Sequence, residues 1–305
     1  MHETAKKQLP NKQERHKLFG SVEPGPKHKP MEKSKMKDLQ NTKKDFLFEL
    51  DVVGISNVKH PVVINSSLTP ETQTSVGTFY FASSISQGSK GTNMSRFTEQ
   101  LQSYYEDGFV LDLKTLKSFV YHLRERLEQN DAEMTVSFPW FFERKAPYSE
   151  KAGLNYADAW IKVHYDQEQG YDIKVGLTGK ITTLCPCSKE ISEYSAHNQR
   201  GNIEMEVTLS EDFNEEQHDW KFLLLEAAES NASARIHPVL KRPDEKMVTE
   251  QAYENPRFVE DMVRLVSCDL YEIDEIVQFS VKCLNEESIH LHDAIASITY
   301  DKRTE

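Results

Sequence analysis

Three stretches of the 305-residue chain gather side chains able to bind a metal ion, grip an anion or move a proton. The first is Leu184-Cys185-Pro186-Cys187-Ser188-Lys189-Glu190, continuing through Tyr194, His197, Asn198, Gln199 and Arg200. Thiolate and imidazole together form a good partial shell for a transition metal. If the preceding strand carries on, Cys185 and Cys187 face the same way and Pro186 interrupts ladder pairing. The two paired Cys-x-x-Cys units of a structural zinc site are absent, so a zinc finger is disfavoured. The plain alternative is a pair of buried cysteines beside an ordinary polar loop.

The second stretch, Asn285 to Asp293, carries Glu286, Glu287, His290 and His292. Imidazoles at alternate positions near a strand share a face. With a carboxylate they can complete a metal shell or relay protons near neutral pH, although read alone the stretch is a solvated acidic loop. The third, Lys241-Arg242-Pro243-Asp244-Glu245-Lys246, offers a planar guanidinium fork and a point charge for a polyphosphate. Its plain reading is a solvated linker between helices. Beyond it, Glu254, Glu260 and Asp261 surround a helix start, where a carboxylate can accept hydrogen bonds from a planar amidine-like edge.

The elements that must position these groups follow an order that occurs twice. In the first half, strands are expected over Phe46–Asn65 and Thr74–Ser84, helices over Met94–Asp107 and Leu111–Gln129, and strands over Glu133–Arg144 and Asn155–Tyr165. In the second half, strands are expected over Asp172–Cys185 and Asn202–Ser210. Helices follow over Glu215–Ser230 and Asn255–Asp269, with Pro256 at a permitted helix start, then strands over Ile276–Leu284 and Asp293–Tyr300. The class is α+β: antiparallel sheets with helices packed on one face. Open sheet edges in such a plan point to oligomerisation by sheet extension.

Residues 1–44 hold 12 Lys/Arg against 5 Asp/Glu, with Pro24, Pro26 and Pro30, and read as a basic, mobile arm. The whole chain carries a net charge of −12, which argues against general nucleic-acid binding, so an anionic substrate needs a local basic site. No apolar run reaches the roughly 20 residues of a membrane span, and the N-terminus lacks a secretory signal, so the expected location is the cytoplasm without membrane association. Four cysteines in a chain this long read as thiols of a reducing compartment.

Leu184–Gly201 (LCPCSKEISEYSAHNQRG), Leu240–Arg264, Asn285–Ala294 (NEESIHLHDA) and Lys90–Phe97 (KGTNMSRF) together resemble the GTP cyclohydrolase type IB family, in matching order. The resemblance covers essentially everything after the arm. It implies two tandem tunnelling-fold (T-fold) modules, at 45–168 and 169–305, the second carrying most active-site residues. It also implies a homotetramer with sites between chains, and conversion of GTP and water to 7,8-dihydroneopterin triphosphate and formate, for folate and in some bacteria queuosine synthesis. By motif position, Cys185, His197, Glu245 and Glu287 correspond to the surroundings of a divalent ion, which could be manganese, zinc, iron or another. Glu260 corresponds to the anchor of the purine ring. Cys185, Cys187, His290 and His292 are the catalytic candidates. Asn198, Gln199, Arg200, Lys241 and Arg242 are assigned to the triphosphate by charge and polarity. Asn93 stands where some relatives have histidine, and no acid-base role is assigned to it. The rival enzymatic reading is a T-fold reductase using a cysteine nucleophile and a nicotinamide cofactor. The non-enzymatic rival is a binding module with structural cysteines.

Overall fold

The computed structural model describes residues 8–22, 25, 29–36 and 38–304. Eight strands form one antiparallel sheet in chain order: β1 (Leu50–Asn65), β2 (Thr72–Ile85), β3 (Asp131–Lys145), β4 (Ala152–Asp166), β5 (Gly170–Leu184), β6 (Asn198–Leu209), β7 (Ile276–Asn285) and β8 (Ala294–Asp301). The halves meet at the tight β4–β5 turn, where Asp166 pairs with Gly170, so both share a single sheet. Each half runs strand, strand, helices, strand, strand.

Alternation explains why the sheet has one wet face and one dry face. Phe79 and Phe81 of β2, Met134 and Val136 of β3, Val175 and Leu177 of β5, and Ile203 and Met205 of β6 are buried. Their neighbours on the other face pair charges across strands, Lys162 with Glu133 at 2.7 Å and Lys282 with Glu204 at 3.0 Å. The helices cover the dry face. In the first half these are α2 (Ser95–Glu106) and α3 (Leu113–Leu127), numbered after the short α1 (Lys12–Leu18) of the arm. Leu113, Leu116, Phe119, Val120, Leu123 and Leu127 of α3 recur at helical spacing and are buried, and Asp112 caps its start by accepting from the Thr115 N–H at 2.7 Å.

The second half departs from expectation. A short helix, α4 (Pro186–Ile191), replaces the expected continuation of strand at the cysteines, with Pro186 in its first turn where a missing N–H costs nothing. The next helix, α5 (Trp220–Ser230), starts five residues later than expected, because Glu215 is used elsewhere. Its carboxylate accepts from the Leu113 N–H at 2.6 Å and the Trp220 indole N–H at 3.2 Å, tying the halves together, and burial pushes its pKa up.

The stretch read as a linker is α6 (Arg242–Glu254), and α7 (Val259–Tyr271) begins after Pro256 rather than at it. Helix α6 escapes a periodicity search because Ala252 is its only buried apolar residue. It is held instead by Asp244, whose buried carboxylate accepts from Lys241 N–H, Tyr148 N–H, Ser149 N–H and the Ser149 hydroxyl at 2.7–2.8 Å. Burial alone would raise the pKa of Asp244, but these four donors hold it well below the usual carboxylate range.

Residues 1–7, 23, 24, 26–28 and 37 of the arm, Pro24 and Pro26 among them, lie outside the described residues. The described part is not featureless. Helix α1 has a complete capping box between Asn11 and Glu14, and the Phe19 ring packs on Phe46 at 6.1 Å. The Lys44 N–H donates to the Gly88 carbonyl and the Lys90 N–H to the Thr42 carbonyl, lacing the arm to the loop before α2.

Candidate active site

The register of β5 on β6 builds the site. Thr183 lies opposite Gln199 and Leu184 opposite Asn198, and the next rung is closed by the Cys185 N–H donating to the His197 carbonyl at 3.1 Å. Residues opposite one another in an antiparallel pair project from the same face, and so do residues two apart on one strand. Thr183, Cys185, His197 and Gln199 therefore occupy one face over two rungs.

Cys185 is also the N-cap of α4, and its sulfur accepts from the Ser188 N–H at 3.4 Å. The Ser188 hydroxyl in turn accepts from the His197 N–H at 3.4 Å. Because the chain turns helical at Pro186, strand alternation no longer relates the two cysteines. Cys187 lies on α4, exposed, about 200° around the axis from the capping position, so the extended-chain reason for placing both thiols on one face does not apply.

The β7–β8 loop (residues 286–293) folds over this pair. Gly201 makes that possible, since a Cβ there would lie 2.3 Å from the buried Asn285 amide oxygen opposite it. The Glu286 N–H then donates to the Arg200 carbonyl at 3.0 Å, and the Ser288 hydroxyl lies 3.4 Å from His197 Nδ1. Glu287 sits half-buried in the same loop, and the exposed His290 and His292 rings stack at 4.8 Å. They share a face, as expected, but in a loop and not in a strand.

From the other side, the α6–α7 connection docks at the end of β5, where the Arg257 N–H donates to the Leu184 carbonyl at 3.0 Å. Lys189 of α4 donates to the Tyr253 carbonyl at 2.6 Å, fixing the C-terminal end of α6 there. Glu260 stands exposed in the first turn of α7, near enough to Cys283 to add to the burial that pushes that thiol's pKa up to about 12.

Glu245 lies at the opposite end of α6, roughly 12 Å along the helix from Tyr253 at 1.5 Å per residue. Among the described residues, no three His, Cys, Asp or Glu side chains stand together closely enough to hold a metal ion. The donor chemistry of Cys185 and His197 fits a borderline divalent ion, but among the described residues of one chain Glu245 does not join them in a three-ligand cluster.

Gln199, expected in the phosphate set, is 7% exposed, and both ends of its amide are engaged within the fold. Asn198, Arg200, Lys241 and Arg242 remain exposed, and the three cations make no ion pair among the described residues. Sequence reading missed Thr183 and gave no role to Ser188 or Ser288, which stand inside the two quoted stretches. The Thr-x-Cys and His-x-Gln spacings carry a signal for Thr183, but only once the register is known.

A model of the family described as "Type I GTP cyclohydrolase folE2" matches residues 36–296. GTP cyclohydrolase FolE2 of Oceanobacillus iheyensis is 67% identical over 98% of this chain and 99% of its own length. The Bacillus subtilis protein of the same name is 51% identical over 97% of both. Among solved structures, uricase from Arthrobacter globiformis superposes with a TM-score of 0.51 at 10% identity, over 84% of this chain and 95% of its own. That likeness concerns the fold alone, the tunnelling fold. Matched along nearly all its length, with the Cys185–His197 pair inside the matched region, the chain belongs to the type I GTP cyclohydrolase folE2 family.

Proposed function

We propose that this protein is a GTP cyclohydrolase that converts GTP and water to 7,8-dihydroneopterin triphosphate and formate, the opening step of folate synthesis. The observation that carries the reading is the cross-strand pairing of Cys185 and His197 in a chain 67% identical to a relative named GTP cyclohydrolase FolE2.

A divalent ion, manganese, zinc or iron, would be held by Cys185 and His197 with a carboxylate from Glu287 or Glu245, and when bound would supply Lewis acidity toward water. The remaining roles belong to the chain's own side chains. The Glu260 carboxylate accepts from the N–H edge of guanine and orients it. Arg200, Lys241 and Arg242, exposed and unpaired, hold the triphosphate, so that both ends of the substrate are fixed while its middle reacts. Cys187, His290 and His292 deliver protons to the ring nitrogens released from C8.

The working form in this reading is a homotetramer with sites shared between chains, in the cytoplasm. Three features support it. The donor set is incomplete among the described residues of one chain, β1 and β8 end the sheet, and the loops bearing the reactive groups display apolar side chains to solvent. Tyr194 is 96% exposed, and Ile191, Ile289 and Leu291 on the same two segments are exposed as well. No helix among the described residues is long and apolar enough to cross a membrane.

Incubation of the full chain with GTP and Mn²⁺ or Zn²⁺ tests the reading. Formate and a pterin that fluoresces after oxidation are expected in equal amounts. Absence of both with every divalent ion, alongside NADPH consumption with a nitrile-bearing deazapurine, would move the protein to the reductase class.

A further inference from the structure

We infer that Gln199 is a positioning residue: clamped between Thr183 and His197, it holds the His197 imidazole as the Nδ1–H tautomer and leaves the Nε2 lone pair facing outward. The inference deepens the proposed function and rests on His197 serving as a ligand.

Thr183 and Gln199 are opposite each other on β5 and β6, and His197 lies two residues along on the same face. The Gln199 amide Nε2 donates to the Thr183 hydroxyl at 2.9 Å, and its Oε1 lies 3.0 Å from His197 Nδ1. An amide oxygen has no proton to give, so the contact is a hydrogen bond only when Nδ1 carries the hydrogen. A neutral imidazole has one N–H, and Nε2 is then the lone pair. Nε2 makes no hydrogen bond among the described residues.

Thr183 is fully buried and Gln199 nearly so, so solvent does not readily replace either end of the amide. Among the described residues the one competitor is the exposed Ser288 hydroxyl, 3.4 Å from the same Nδ1, a longer contact from a rotatable hydroxyl. Fixing the tautomer of a ligating histidine through its other nitrogen is a common device, and losing that partner typically weakens metal binding about 10- to 100-fold. An amide turned the other way would point its NH2 at Nδ1 and place the hydrogen on Nε2, where a ligand is needed.

The test uses the full chain, metal-free and labelled with 15N at histidine, at a pH where imidazoles are neutral. Long-range 1H–15N correlation assigns the protonated nitrogen of His197, identified by the signal missing from His197→Gln. The expected pattern is Nδ1–H in the wild type, in Ser288→Ala and in Gln199→Glu, which keeps the acceptor, with a shift toward Nε2–H in Gln199→Leu. Titration with Co²⁺, followed by thiolate-to-cobalt absorption, should show Gln199→Leu weakened about 10- to 100-fold and Gln199→Glu within about threefold of wild type. Nε2–H in the wild type, or an unchanged tautomer and unchanged Co²⁺ affinity in Gln199→Leu, overturns the inference. Undiminished Co²⁺ affinity in His197→Ala overturns the metal reading beneath it. The tautomer measurement, made without metal, separates the two failures.

Discussion

The two halves of the sheet share one plan and spend it differently. In both, two hairpins project from the same end of the sheet. In the first half these are residues 66–71 and 146–151, short turns that bind the rest of the fold. The Ser67 N–H and hydroxyl donate to Asp219, the cap of α5, and Tyr148 and Ser149 donate to Asp244 of α6. In the second half they are residues 185–197 and 286–293, longer, carrying Cys185, Cys187, His197, Glu287, His290 and His292. One half supplies rigid clamps and the other supplies reactive loops. A scaffold can hold chemistry in loops only where other contacts fix their ends.

That contrast breaks most visibly with Cys185→Ala or His197→Ala, each expected to lower formate release about 10³-fold or more while secondary structure is kept. Formate assay and circular dichroism on the same samples check it. Next in size, Asp244→Ala strands the three N–H groups its carboxylate serves, so α6 loosens and Tm falls by several degrees, with activity following stability. Thermal unfolding with and without ligand separates the two effects. Gly201→Ala drives a methyl group into Asn285 and displaces the β7–β8 loop, costing about 1–3 kcal/mol and lowering kcat more than a clamp mutation of equal destabilisation.

Smallest is Ser67→Ala, about 0.5–1.5 kcal/mol in denaturant unfolding, with kcat near wild type. Acid sharpens the same comparison. Burial would raise the pKa of Asp219, but the Lys221 ammonium and the Ser67 hydrogen bonds outweigh it and hold it below 3.8. A carboxylate depressed in the fold contributes stability that is full above its unfolded pKa and is lost as pH falls through the folded one. Asp219→Asn should therefore flatten the stability profile below about pH 4 relative to wild type and leave it parallel above.

The alternation of β2 to β6 and the periodicity of α3 were legible in the sequence because burial imposes them directly. Helix α6 was not, since one buried carboxylate holds it and a charge run hides that. The motif residues were legible as a group, but their partnership was not. Cys185 and His197 meet through a register that places Leu184 opposite Asn198, and nothing in the intervening residues reveals it. Gln199 shows the same limit: it was grouped with the cations for the triphosphate, and only the register shows that its amide is engaged inside the fold.

In the proposed function, the second-half hairpins would bring one thiol and one imidazole to a single ion. X-ray absorption at the zinc edge of the zinc-loaded full chain measures this most directly. The account predicts one sulfur in the ligand shell, accompanied by nitrogen or oxygen, and loss of that sulfur in Cys185→Ala with Cys187 intact. A shell without sulfur, or a sulfur that survives in Cys185→Ala, would contradict it.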